Sequence, residues 1–139
     1  MGQQQLLLII LGVIIVGIAV AVGITMFQDN ALDQNRSAVV ADLTTLAAKA
    51  QQFYAKPVTL GGGGNSFGTD KGGTGITTIA DLASPAFTTN ANGVYTVKTA
   101  GTTNYVILQG VGTNQMTDGQ YPTYEMSVTS SSQFPSKKH

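Results

Sequence analysis

The side chains that ordinarily do chemistry are few in this sequence and poorly placed for it. Seven Lys and Arg balance seven Asp and Glu, cysteine is absent, and histidine occurs once, at His139. A lone imidazole at the final position gives no Ser–His or His–carboxylate set to activate a nucleophile or relay a proton. Without thiols there is neither a disulfide framework nor a thiolate metal site. The densest candidate is GGGGNSFGTDKGGTG, residues 61–75, where eight of fifteen positions are Gly. A phosphate-cradling loop needs G-x-x-x-x-G-K-[ST], and here Lys71 precedes Gly72 with no Ser or Thr in register. Asn65 and Asp70 offer oxygens to calcium, but that ion takes about six to eight of them, and Asp70, Asp81 and Asp118 are scattered. A solvated, flexible surface loop is the simpler reading of 61–75. The balanced charge leaves no footprint for nucleic acid. The sequence therefore points away from an enzyme, with no cofactor and no metal.

The distribution of apolar residues says more. Residues 6–27, LLLIILGVIIVGIAVAVGITMF, carry no charge, and sixteen of them are Leu, Ile, Val, Met or Phe. As a helix this segment spans roughly 33 Å at ~1.5 Å per residue, enough for the ~30 Å hydrocarbon layer of a bilayer. Leaving those side chains in water would forgo on the order of 25–50 kcal/mol, at roughly 1.5–3 kcal/mol each. Net domain stability is typically ~5–15 kcal/mol, so the helix must be covered on every side. A membrane, a large protein or a bundle of subunits can do that. The remainder of the chain is too short to surround the helix. MGQQQ at residues 1–5 has no positive charge and no A-x-A motif closes the run, which speaks against a cleaved secretory signal. Gly12, Gly17 and Gly23 interrupt the run and permit close backbone approach.

The helical pattern does not stop there. Residues 28–55 contain neither Gly nor Pro, and Val39, Leu43, Leu46, Ala50 and Phe53 recur at steps of 4, 3, 4 and 3, one apolar stripe. Asp42, Thr45, Lys49 and Gln52 lie opposite, as a solvated or subunit-facing side. Pro57 ends the run. Residues 3–55 are thus expected to form one helix of roughly 80 Å, apolar all round and then amphipathic. Val94–Thr99 and Tyr105–Gln109 read as strands joined by a short turn, and Tyr124, Met126 and Val128 share one face of a third. Thr78-x-x-Asp81 suggests a capped turn. The sequon Asn35-Arg36-Ser37 falls inside the predicted helix, where a glycan is not expected. The 18 Thr and 8 Ser are compatible with O-linked decoration of an outer face. The fold class is α+β, a long N-terminal helix on an antiparallel sheet of about three strands. The divisions fall at 1–27, 28–56, 57–92 and 93–139.

An apolar helix running unbroken into an amphipathic half, then a glycine-rich stretch and a small antiparallel sheet, resembles a type IV pilin. At the level of motif the likeness rests on residues 1–55, above all MGQQQLLLIILGVIIVGIAVAVGITMFQDNALDQNR. The resemblance implies a membrane-held precursor with a short basic leader, polymerised by an assembly machinery in the membrane into an extracellular filament of identical copies for adhesion or motility. The core-packing residues would be Leu6, Leu7, Ile10, Gly12, Ile14, Gly17, Ile18, Gly23 and Phe27. Gln5 stands where the family usually carries Glu opposite a neighbour's N-terminal amine, so Gln3, Gln4 and Gln5 are the candidate partners of that amine, through carbonyl oxygens. The family's mid-helix Pro is missing, which predicts a largely continuous helix. Val39, Leu43, Leu46, Ala50 and Phe53 would pack on the sheet. A pseudopilin of a secretion system and a single-pass membrane-anchored binding domain are the competing readings.

Overall fold

Fifty-three consecutive residues, Gln3–Ala55, form one α-helix, α1, in the computed structural model, which describes residues 2–137. The helix passes through Gly12, Gly17 and Gly23 without a break. Each such Gly costs about 1 kcal/mol relative to Ala in a helix interior, a penalty diluted over so long a run of good helix formers. Its end is set by Pro57, whose ring removes a donor and pushes Lys56 out of the helical region. A 3₁₀ turn follows at Val58–Leu60, closed by Gly61 in the left-handed region at φ 79°.

Four strands make one sheet in the order β1 (Gly93–Thr99), β2 (Tyr105–Gly112), β3 (Thr123–Thr129) and β4 (Gln133–Lys137), every neighbour antiparallel. Alternation puts Tyr95, Val106, Leu108, Tyr124, Met126 and Val128 on the inner face, all buried. Against them lie Val39, Leu43, Leu46, Ala47 and Ala50 of α1, in one continuous core. The helix comes down over Gly110, which pairs with Tyr95 on one side and Tyr124 on the other. A Cβ at Gly110 would sit 2.8 Å from Val39 Cγ1 and 3.1 Å from the Tyr95 ring. An absent side chain at the centre of the sheet is what admits the helix.

The α+β layout is as expected, and the sheet of about three strands has four. The strand that sequence reasoning missed, β4, contains Pro135, a residue that argues against a central strand. It lies at the sheet edge, where a missing donor is tolerated.

The glycine-rich stretch is only in part the solvated loop expected: residues 69–72 and 74 are exposed, but its first half packs against the helix end. The N–H groups of Gly63, Gly64 and Asn65 donate to the carbonyls of Phe53, Lys56 and Tyr54 at 2.8, 3.0 and 2.8 Å. They thereby occupy acceptors that a helix end leaves open. Ser66, Phe67 and Ile76 are fully buried, and the Phe67 and Tyr54 rings meet at 4.8 Å between centroids. Gly63 is required by contact: a Cβ there would lie 1.8 Å from the Ser66 carbonyl oxygen. Glycine serves here to bring backbone against backbone. Thr78 and Asp81 bracket a 3₁₀ turn at Ile79–Asp81, with the Asp81 carboxylate accepting from the Thr77 and Thr78 amides at 2.9 and 2.7 Å.

The chain divides into two units, Met1–Asp33 and Gln34–His139. The first holds residues 3–33 of α1; the second holds residues 34–55 of α1, the glycine-rich stretch and the sheet. Gly110→Ala is expected to destabilise the second unit by about 1–3 kcal/mol, the usual penalty of overpacking. Gly17→Ala, where a Cβ meets nothing within 4 Å, should leave its denaturant midpoint unchanged, both variants being unfolded in detergent.

Candidate assembly surface

No residue from 2 to 30 is even half-buried. The expected core-packing residues Leu6, Leu7, Ile10, Ile14 and Ile18 are 52–66% exposed, and Phe27, the sole aromatic of the segment, is 77% exposed. Gly12, Gly17 and Gly23 face open space. The fold of a single chain brings none of these together. They form an apolar cylinder, none of it buried, long and apolar enough to cross a membrane. Thr25, its one hydroxyl, donates to the Val22 carbonyl at 2.8 Å, so the segment presents no unsatisfied side-chain donor there.

Gln3, Gln4 and Gln5 are exposed in the first turn, where the Gln5 amide donates to the Gly2 carbonyl at 3.1 Å. The amine they were expected to meet is that of a neighbouring copy; Met1 lies outside the described residues, as does His139.

The second unit behaves differently. Val39, Leu43, Leu46 and Ala50 are 0–1% exposed and Phe53 is 8% exposed, all in one core cluster with the inner face of the sheet and Phe67 of the glycine-rich stretch. Ala47 completes the stripe; its small side chain gave it no weight in the sequence.

Asp42 corrects the sequence reading most. Expected on a solvated or subunit-facing side, it is half-buried within its own chain, and its Oδ2 accepts three hydrogen bonds. They come from the Tyr95 hydroxyl at 2.7 Å and from Nδ2 of Asn90 and Asn92 at 2.9 Å each. Asn90 in turn holds the amides of Asn92 and Gly93 at 2.9 and 3.0 Å. Asn35 adds a fourth tie, donating to the Asn92 carbonyl at 2.7 Å. The first strand is thus fastened to the helix by polar bonds beside the apolar stripe. Asn35 is 8% exposed, so the amide of the Asn35-Arg36-Ser37 sequon is committed to the fold.

Burial pushes the Asp42 carboxyl up, and the bonds from Asn92, Tyr95 and Asn90 outweigh it, leaving the group below the usual carboxylate range. Burial, then the bond to Asp42 and its charge, raise the Tyr95 hydroxyl. Asp81 is also lowered: burial raises it, and the Thr77 and Thr78 donors more than compensate.

Two hollows mark the second unit. One, of about 510 Å³, runs between α1 and the β3–β4 edge; Val40, Leu43, Met126 and Pro135 line it together with the exposed Arg36. Its one carboxylate among the described residues, Glu125, forms an ion pair with Lys98. The other, of about 190 Å³, is polar, with Lys49, Lys56 and Asp81. Among the described residues no group of three or more His, Cys, Asp or Glu is placed to hold a metal; Asp70 accepts from Thr103 instead. Compared with protein-family models, with curated proteins and with solved structures, the chain matches none.

The Asp42 network predicts a defined acid response. A carboxyl lowered in the fold is protonated in the unfolded chain first, so its stabilisation is complete above the unfolded value near pH ~4 and is lost as pH falls through the folded one. Asp42→Asn is expected to cost about 1–3 kcal/mol at neutral pH. It should also flatten the fall of the thermal midpoint below pH ~4, with Asp81 supplying the residual slope.

Proposed function

We propose that this chain is the subunit of a type IV pilin-like extracellular filament, in which the apolar halves of α1 from many copies bundle and the sheet units face outward. The observation that carries the reading is that all sixteen large apolar side chains of residues 6–27 are exposed, while the same helix continues into a stripe that the fold buries completely. The two halves of one element obey opposite rules of burial, which fits a helix made to be covered from outside at one end only. Lipid covers it in the membrane-held precursor and neighbouring copies cover it in the filament; adhesion or motility is the role such a filament serves.

Two further features support assembly over a permanent single span. Gly12, Gly17 and Gly23, with Ala19 and Ala21 between them, leave shallow places where a neighbouring backbone can approach, and close approach is the main source of helix association in an apolar medium. The second unit also offers little conventional binding chemistry: ten per cent of the chain is charged, and no cluster of ligating side chains occurs among its described residues. A repeating structural part needs little such chemistry.

Cells expressing the full chain with its assembly machinery are expected to release fibres on shearing, visible by negative-stain microscopy and containing this chain. Ile14→Glu places a charge in the middle of the apolar half; it should abolish fibres without changing the folding of residues 34–139, followed by circular dichroism in detergent. Recovery of the wild-type chain only as a detergent-soluble monomer, with no fibres, would sink the reading in favour of a membrane-anchored domain.

A further inference from the structure

The groove between α1 and the β3–β4 edge has two kinds of chemistry in one place. Val40, Leu43, Met126 and Pro135 make it apolar, and Arg36 contributes a cation. Because Lys98 takes the Glu125 carboxylate, the charge the groove offers a visitor is positive. At about 510 Å³ it is in the size range of pockets that enclose a small molecule, ~300–1,000 Å³, ample for one aromatic side chain and its flanking backbone.

The chain itself carries a matching segment. Phe27 is the most exposed of the sixteen large apolar residues of the helix, at 77%, and Asp29 follows two positions later, also exposed. An aromatic ring suits a thioether and a guanidinium, since sulfur packs at ring edges and cations over ring faces. A carboxylate beside it suits the same guanidinium through charge-assisted hydrogen bonds.

We infer that the groove is the docking site for residues Phe27–Asp29 of a second copy, with Phe27 against Val40 and Met126 and Asp29 toward Arg36. This rests on the filament reading and gives it a specific joint: the bundled helices are held to each other and also latched, one copy to the next, at the junction of the apolar and amphipathic halves. Charge complementarity selects this occupant over the uncharged stretch before it, which offers Arg36 no carboxylate.

The absence of cysteine makes the joint testable by cross-linking. In fibres of the doubly substituted chain, Phe27→Cys with Ser37→Cys, mild oxidation is expected to convert most of the protein into a ladder of covalent multimers. Either single variant should stop at dimers. Fibres that form normally but give no ladder beyond dimers overturn the joint while leaving the filament standing; no fibres from the unsubstituted chain overturns both. A second arm does not depend on losing the ring. With p-benzoylphenylalanine at position 27, irradiation should attach it to peptides containing residues 36–43 or 124–136, and adducts confined to residues 6–27 of neighbours would overturn the assignment. Asp29→Arg and Arg36→Glu are each expected to lower fibre yield, and the double reversal to restore it. Failure of the double reversal to restore yield counts against the Asp29–Arg36 contact.

Discussion

The seating of residues 34–55 of α1 on the sheet is the interaction on which the second unit depends. One apolar stripe supplies the helix side of the core and one alternating face supplies the sheet side, and Gly110 sets how closely they meet. The Asp42 bonds add direction to what burial alone leaves loose. Apolar contact is non-directional, whereas a carboxylate accepting from Tyr95, Asn90 and Asn92 fixes where β1 lies along the helix. Such a network is stable only when its members are satisfied, and the tolerance for change around Asp42 should be correspondingly small.

The same helix is governed by opposite demands before and after this seat. Over residues 34–55 it contributes to a core that the chain completes by itself. Over residues 6–27 it contributes a surface that the chain leaves uncovered. A surface of that size is a requirement for company, and the proposed filament is one arrangement that meets it without any change in the second unit. Under this reading stability and assembly are separable properties: substitutions beneath the sheet act on the first, substitutions on the apolar cylinder on the second.

Much of this was legible in the sequence, and the reasons differ by element. The helix was visible because a 3.6-residue period persists from Val39 to Phe53 and no Pro precedes position 57. Strands β1 to β3 were visible through β-branched and aromatic residues in alternation. Strand β4 was hidden by Pro135, and the end of β2 by Gly110 and Gly112, whose low strand propensity is the condition for the helix to fit. Asp42 was misread because its partners lie about fifty positions away; the usable signal was a lone acid directly beside a stripe residue, facing a segment rich in Asn. The glycine-rich stretch was misread because composition alone cannot tell a mobile backbone from one packed against backbone. Phe67 and Ile76, large apolar residues within a run of Gly, were the clue. The groove was not legible at all, since it joins Arg36 to Pro135 across the fold.

The closure of the helix end by the glycine-rich stretch has a dynamic consequence. Helix termini ordinarily fray, opening residue by residue at little free-energy cost. Here the Phe53 and Tyr54 carbonyls in the last turn of α1 accept from Gly63 and Asn65, the Lys56 carbonyl just beyond it accepts from Gly64, and the ring of Tyr54 rests on Phe67. The final turn cannot loosen unless the stretch after it lifts away, and that stretch cannot lift without exposing Phe67. Residues from about 52 to 67 are therefore expected to open together, the end of the helix sharing the protection of the core below it.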